Sequence, residues 1–276
     1  MLVFVHLNKT AGRTMRYILR ASYGARHCDV EAWDRADPTF SAEDLRRVRK
    51  LYPRLASIAG HRVTGYVDLD DGKTDLRYMT LMRDPIATCA SRFQYQLDFR
   101  KKEDLGFEEW IQKDWVRDAQ TQRIGGTTNA GDAIAVIEKR EMFVGLTERF
   151  DESMVLLKTL RAPDLDIDYA QVNVAKRSTV ARQLLDDPTT RQMIVEANRA
   201  DLELYGYVQR ELYPSFRTEF GPSLDDAVAG YVRTRREGFR RGQLARYALR
   251  QRMVYRPMLR LYRSRIGRRP AELLLR

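Results

Sequence analysis

An α/β fold, with a mostly parallel central sheet covered by helices on both faces, is predicted by two features of this sequence. Short apolar runs suited to buried strands alternate with segments of helical periodicity. Where the apolar runs end, the chain passes directly into polar loops that carry Lys9, His61 and Arg83. Strands joined through helices run parallel, because the crossover returns the chain to the same end of the sheet.

The elements follow in order. Val3, Phe4 and Val5 form a buried strand, and Met15, Tyr17, Ile18 and Leu19 form the apolar face of the helix after it. In "FSAEDLRRVRKLY", Ser41 caps a helix and Asp44 completes a capping box. "LASIAGHRVTGYV" is a short buried segment that breaks into a loop at Gly60, His61 and Gly65, and "LRYMTLMRDP" is a second strong strand, ended by Pro85. The helix "IATCASRFQYQLDF" places Ala87, Ala90, Phe93 and Leu97 along one face. A helix is predicted from Phe107 to Gln122, followed by the loop "GGTTNAGD"; Asp132 caps the helix before a third strand, "MFVGLT", and Asp151 caps "ESMVLLKTL". The stretch "TRQMIVEANRADLELYGYV" is helical and closes the body.

At 276 residues and 43% hydrophobic content the chain can bury one large core. Two cysteines, Cys28 and Cys89, exclude a four-cysteine zinc site and a disulfide framework. The first apolar run is too short for a secretory signal, so a cytoplasmic location is expected. The net charge of +11 is unevenly spread: from Tyr231 to Arg276 there are 15 Arg and no Lys against 2 Glu, which leaves the preceding body close to neutral. This divides the chain into a body, 1–230, and a basic helical extension, 231–276.

The loop in "FVHLNKTAGRTM" is the first candidate site. A strand-to-helix turn aims backbone N–H groups, the positive end of a helix and a lysine at one point, which suits a phosphate or sulfate. It is no nucleotide-triphosphate P-loop, since Leu7 and Arg13 replace the first glycine and the lysine of that motif. The second candidate is "LMRDPIATCASRF": Arg83 ends a strand, where open α/β sheets bind ligands, and Ser91 follows about two turns later. The planar fork of an arginine makes paired hydrogen bonds to a fixed phosphate.

Together the two motifs resemble the sulfotransferases that use 3'-phosphoadenosine 5'-phosphosulfate, in particular the heparan sulfate 2-O-sulfotransferase group and its bacterial relatives. "AGHRVTGYVDL", "DAQTQRIGG", "FVGLTERFDESMVLL" and "ANRADLELYGYV" extend the resemblance in order through the body. Asn8 and Arg13 depart from it, standing where the family usually has proline and a small hydroxyl residue. The resemblance implies a P-loop-like three-layer fold and transfer of a sulfuryl group to an acceptor hydroxyl on a carbohydrate or glycan, with a small-molecule hydroxyl the alternative acceptor, the donor consumed as a cosubstrate and no metal. It assigns Lys9, Thr10, Ala11, Gly12, Arg13 and Thr14 to the 5'-phosphosulfate, with Lys9 on the leaving oxygen, and Arg83 and Ser91 to the 3'-phosphate. His61 is the implied base, with an acidic residue, as in some other sulfotransferases, the alternative; His6 shapes the loop and His27 has no motif support. Gln120, Thr121 and Arg123 are candidate acceptor contacts, and Lys176 and Arg177 candidate donor contacts.

The tail segment "QLARYALRQRMVYRPMLRLYRSRIGRR" has a partly amphipathic pattern through Leu244, Ala248, Tyr255, Met258, Leu259 and Tyr262, with Pro257 expected to kink or interrupt the helix. Its arginines suit an anionic membrane surface, which would place the protein at the inner face of the membrane, or a polyanion; no specific nucleic acid is implied. Two alternatives to the sulfotransferase are a P-loop-like kinase, weakened by the defective motif, and a non-enzymatic membrane or nucleic-acid binding protein, supported by tail charge alone.

Overall fold

The structure is a computed structural model and describes the chain apart from residues 35, 71, 73, 101–105, 170–178, 237–239 and 267–276. Lys176 and Arg177 lie outside the described residues. Strands are β1 (Leu2–Val5), β2 (His27–Asp29), β3 (Ser57–Gly60), β4 (Arg77–Met82) and β5 (Phe143–Leu146). In the first half the helices are α1 (Gly12–Tyr23), α2 (Ala42–Leu51), α3 (Pro85–Arg100), α4 (Phe107–Ile111), α5 (Ala119–Gly125) and α6 (Ala130–Lys139). The second half adds α7 (Phe150–Leu160), α8 (Thr179–Asp186), α9 (Pro188–Ala197), α10 (Arg199–Tyr207), α11 (Tyr213–Phe220), α12 (Leu224–Thr234), α13 (Arg241–Arg250) and α14 (Arg256–Ile266).

The five strands pair in parallel in the order β2-β3-β1-β4-β5. The sheet is covered by helices, so its strands read as continuous apolar runs rather than alternating ones; Val3, Phe4, Val5, Met79, Leu81, Phe143 and Val144 are all fully buried. From β1 the chain moves toward β2 and β3, and from β4 toward β5. The strand order therefore reverses between β1 and β4, and at such a reversal the loops splay apart and leave a crevice at the carboxyl ends.

Several local expectations are corrected. The helix expected over Phe107–Gln122 is two helices: α4 ends at Ile111, turns follow, and α5 starts after Asp118, which takes a left-handed conformation with φ 42. Asn129, not Asp132, caps α6 by accepting from the Gly131 N–H, and Asp132 lies in the first turn. Asp151 also lies inside the first turn of α7, where it bonds Tyr169 and Arg235. The closing helix is α9 and α10, separated at Asn198. The capping box at Ser41 and Asp44 is present in both directions. Pro257 does not interrupt the tail: a π-helical stretch, Gln251–Tyr255, leads directly into α14 with Pro257 at its second residue. Pro214 follows the π-helical Val208–Leu212 in the same way. The wider π turn shifts the hydrogen-bond ladder where proline lacks its donor, so the helix continues.

The tail packs on the body. Tyr255 and Leu259 are buried. The Tyr255 hydroxyl accepts from the Glu31 N–H at 2.8 Å and donates to the Glu31 carbonyl at 3.2 Å, and Gln251 donates to the Asp29 carbonyl at 2.7 Å. Leu244, Ala248 and Tyr262 are half-buried, while Met258 is exposed. Replacing Tyr255 by alanine should lower unfolding free energy by about 3 kcal/mol or more, as for other buried aromatics, and by phenylalanine only about 1 kcal/mol, measured by urea denaturation.

Candidate functional site

Pairing register builds the centre of the site. Val5 at the end of β1 stands opposite Gly60 at the end of β3, so the next residue on each strand, His6 and His61, emerges side by side. Their rings stack with centroids 4.0 Å apart, and Phe4 extends the stack behind His6 at 5.4 Å. His6 is buried, and a Cβ on Gly12 would lie 1.9 Å from its Nε2. The first residue of α1 must therefore be glycine for the helix to close down on the histidine. Lys9 and Ala11 take positive φ, 66 and 59, in the turn that makes this approach.

Burial first, then His61 and the Arg16 guanidinium, push the His6 pKa down to about 2, so the ring is neutral. His61, exposed at the crevice, is lowered to about 4 by desolvation and then by Arg16 and Arg123. A hydrogen bond to the His6 main chain acts in the opposite direction, favouring the protonated His61 ring.

The loop and the second motif meet across the β1–β4 crevice, where the Arg83 Nη1 donates to the Lys9 carbonyl at 3.3 Å. Lys9 sits over the Tyr95 ring at 4.9 Å. Its pKa is lowered by partial burial, then by Arg83 and Arg13, with Asp98 opposing. Three cations converge on this half-buried loop, and their summed field favours an anion there. Thr10 is fully buried and donates to the Leu7 carbonyl at 3.2 Å, Thr14 is buried, Ala11 and Ser91 are half-buried, and Arg13 is exposed.

Gln120 and Thr121 have other partners than an open cleft. Gln120 is buried and clasps the Arg83 main chain, accepting from its N–H at 3.2 Å and donating to its carbonyl at 2.9 Å. The N–H groups of Gln120 and Thr121 donate to Asp201 at 3.1 and 2.7 Å, while the Ala200 and Asp201 N–H groups donate to Asp118 at 2.8 and 3.1 Å. Each acid thus caps the other's helix, α5 and α10, satisfying amides that would otherwise be orphaned. Burial raises the Asp201 pKa to about 6 against the pull of those N–H bonds. Arg123 is half-buried, close enough to lower both histidines, and its carbonyl accepts from Gly65 at 3.0 Å.

His27 is fully buried away from the crevice, bonded to Ser57 at 2.8 Å and Asp29 at 3.2 Å. Asp29 also accepts from Arg16 at 3.0 Å, from Arg20 at 2.8 Å and from the tail's Tyr247. Two residues near the site lacked a motif of their own. Arg16 stands one helical turn after Gly12 and Tyr95 one turn after Ser91, so helical spacing from the known positions was the available signal. Among the described residues no group of three His, Cys, Asp or Glu forms a metal site.

The profile of the galactose-3-O-sulfotransferase family matches residues 110–264. That span is more than half of the chain; it includes α5 and the tail helices and begins after Lys9, His61 and Arg83. No curated protein matches the chain.

Gly12→Ala should destabilise the protein by about 1–3 kcal/mol through overpacking. In a His6→Ala background the same change should cost much less, and a double-mutant cycle in urea measures the coupling. Asp201→Ala, which leaves two buried helix N–H groups unpaired, should cost about 2 kcal/mol or more in the same assay.

Proposed function

The chain belongs to the galactose-3-O-sulfotransferase family, and from that premise we propose that it transfers a sulfuryl group from 3'-phosphoadenosine 5'-phosphosulfate to a hydroxyl of a carbohydrate. The observation that carries the reading is the junction of the two anion motifs, Arg83 on the Lys9 carbonyl at the reversal of strand order. One phosphate-binding turn alone fits many anions. A donor with a phosphosulfate at one end and a separate 3'-phosphate needs two cationic positions held in fixed relation, as Lys9 and Arg83 are.

In this reading Lys9 and the N–H groups at the start of α1 hold the 5'-phosphosulfate, and Arg83 with Ser91 holds the 3'-phosphate. The acceptor oxygen forms a bond to sulfur as the bond from sulfur to the bridging phosphate oxygen breaks. Negative charge grows on that bridging oxygen, and Lys9 stabilises it more in the transition state than in the ground state. His61 takes the acceptor proton at a ring nitrogen, and the other product is adenosine 3',5'-bisphosphate. Gln120 acts on this site through Arg83, and Arg123 through the field at His61. A galactose 3-hydroxyl, the acceptor in the family's name, is the first to assay; the likeness of the N-terminal motifs to the heparan sulfate 2-O-sulfotransferase group makes a heparan-type glycan the second.

The wild-type protein is expected to bind adenosine 3',5'-bisphosphate in a calorimetric titration. Arg83→Ala should weaken that binding at least tenfold, whereas Lys9→Ala and His61→Ala should retain most of it and lose about 100-fold or more in kcat. Folded wild-type protein that does not bind the bisphosphate would overturn the proposal. For pH, the base must be unprotonated. The depressed His61 pKa places the acid limb of kcat/KM near 4 in the free enzyme. The bound anionic donor raises the pKa, so the limb in kcat lies at higher pH.

A further inference from the structure

The outward face of α13 and α14 is unused by the chemistry above. Between Arg241 and Ser264 the sequence has no acidic residue. Gln251, Tyr255 and Leu259 are buried against the body, which fixes the rotation of this helical run and therefore what it presents to solvent. Arg246, Arg252, Arg256 and Arg260 are exposed, and none forms an ion pair with a described residue. Interleaved with them are Leu249, 66% exposed, Met253, 68%, Met258, 40%, and Leu261, 43%. These four are half of the large apolar side chains exposed among the described residues, so this is a concentrated patch, not scattered surface. Beside it, Arg256, Arg260 and Arg263 line a cavity of about 440 Å³ in which Glu31 is already paired with Arg263 at 3.2 Å.

We propose that this face docks on an anionic lipid membrane, with the arginines on headgroup phosphates and Leu249, Met253 and Leu261 in the interfacial layer. The combination of side chains selects the occupant. A soluble polyanion would use the arginines and gain nothing from leucine and methionine standing between them. A bilayer interface uses both: the apolar tips enter the acyl boundary while arginine stems lie along it with their heads at the phosphates. Docking is peripheral, for no described helix is long and apolar enough to cross a membrane. Since Tyr255 and Leu259 hold the helix to the body, the face is available without the tail unfolding.

The test is co-sedimentation of the full chain with vesicles of phosphatidylcholine alone or mixed equally with phosphatidylglycerol, beside retention on immobilised heparin. The protein should sediment with the anionic vesicles only. Arg252→Gln/Arg256→Gln/Arg260→Gln should weaken vesicle binding roughly a hundredfold, given the usual contribution of each arginine near such a surface. Leu249→Gln/Met253→Gln should weaken vesicle binding roughly tenfold while leaving heparin retention unchanged. All five positions are exposed, so the variants keep the fold, checked by circular dichroism. No sedimentation with anionic vesicles would overturn the proposal. So would vesicle binding indifferent to Leu249→Gln/Met253→Gln, which would mark an electrostatic polyanion site in place of a membrane face.

Discussion

The contact between Gly12 and His6 is the constraint on which the site depends. Because the first residue of α1 has no side chain, the helix descends until its N-terminus lies against the imidazole of His6, the residue after β1. In the turn that makes that approach Lys9 and Ala11 adopt positive φ, an unusual conformation for residues other than glycine. It also traps His6 as a neutral, buried ring with His61 stacked on its open face. The helix end, the lysine turn and the exposed histidine are thus consequences of one close approach.

Charge is arranged around that contact in two tiers. Toward the crevice, partial burial first and then Arg83 and Arg13 lower the Lys9 pKa, with Asp98 opposing them. Behind it, Asp29 gathers Arg16, Arg20, His27 and Tyr247 and is itself held ionised well below the usual carboxylate range. A buried carboxylate is costly unless it is paired and hydrogen-bonded, and here four side chains share that task. One of the four comes from the C-terminal helix, so the basic tail helps hold the arginines of α1 in place. Its charge and its packing serve different faces of the same element.

The parts of the site that stood at strand ends were readable from the sequence, because a buried apolar run followed by a polar turn announces both a strand and its exposed end. Lys9, His61 and Arg83 were found this way, and the structure brings Lys9 to Arg83 and His61 to His6. Gln120 and Thr121 were singled out as acceptor contacts in a stretch expected to be helical, yet the Gln120 side chain is committed to Arg83 and both amides to Asp201. Nothing local in "DAQTQR" reveals that, since the partner acid lies 80 residues away from Thr121. The same distance hid the left-handed turn at Asp118, whose carboxylate is held by the amides of α10.

By itself the sequence determined the alternation of strand and helix, the polar turns that carry Lys9 and Arg83, the capped start of α2 and the basic charge of the tail. These follow from side-chain type and short-range spacing, which act through local conformation and burial. The tertiary structure alone decided the strand order that opens the crevice between β1 and β4, the register that stacks His6 on His61, and the mutual capping of α5 and α10. It also decided that Pro257 is absorbed after a π turn and that the tail lies along the body. Each of these depends on atoms far apart in the chain meeting in a packed interior, where steric fit and unpaired polar groups set the cost and no local pattern carries the information.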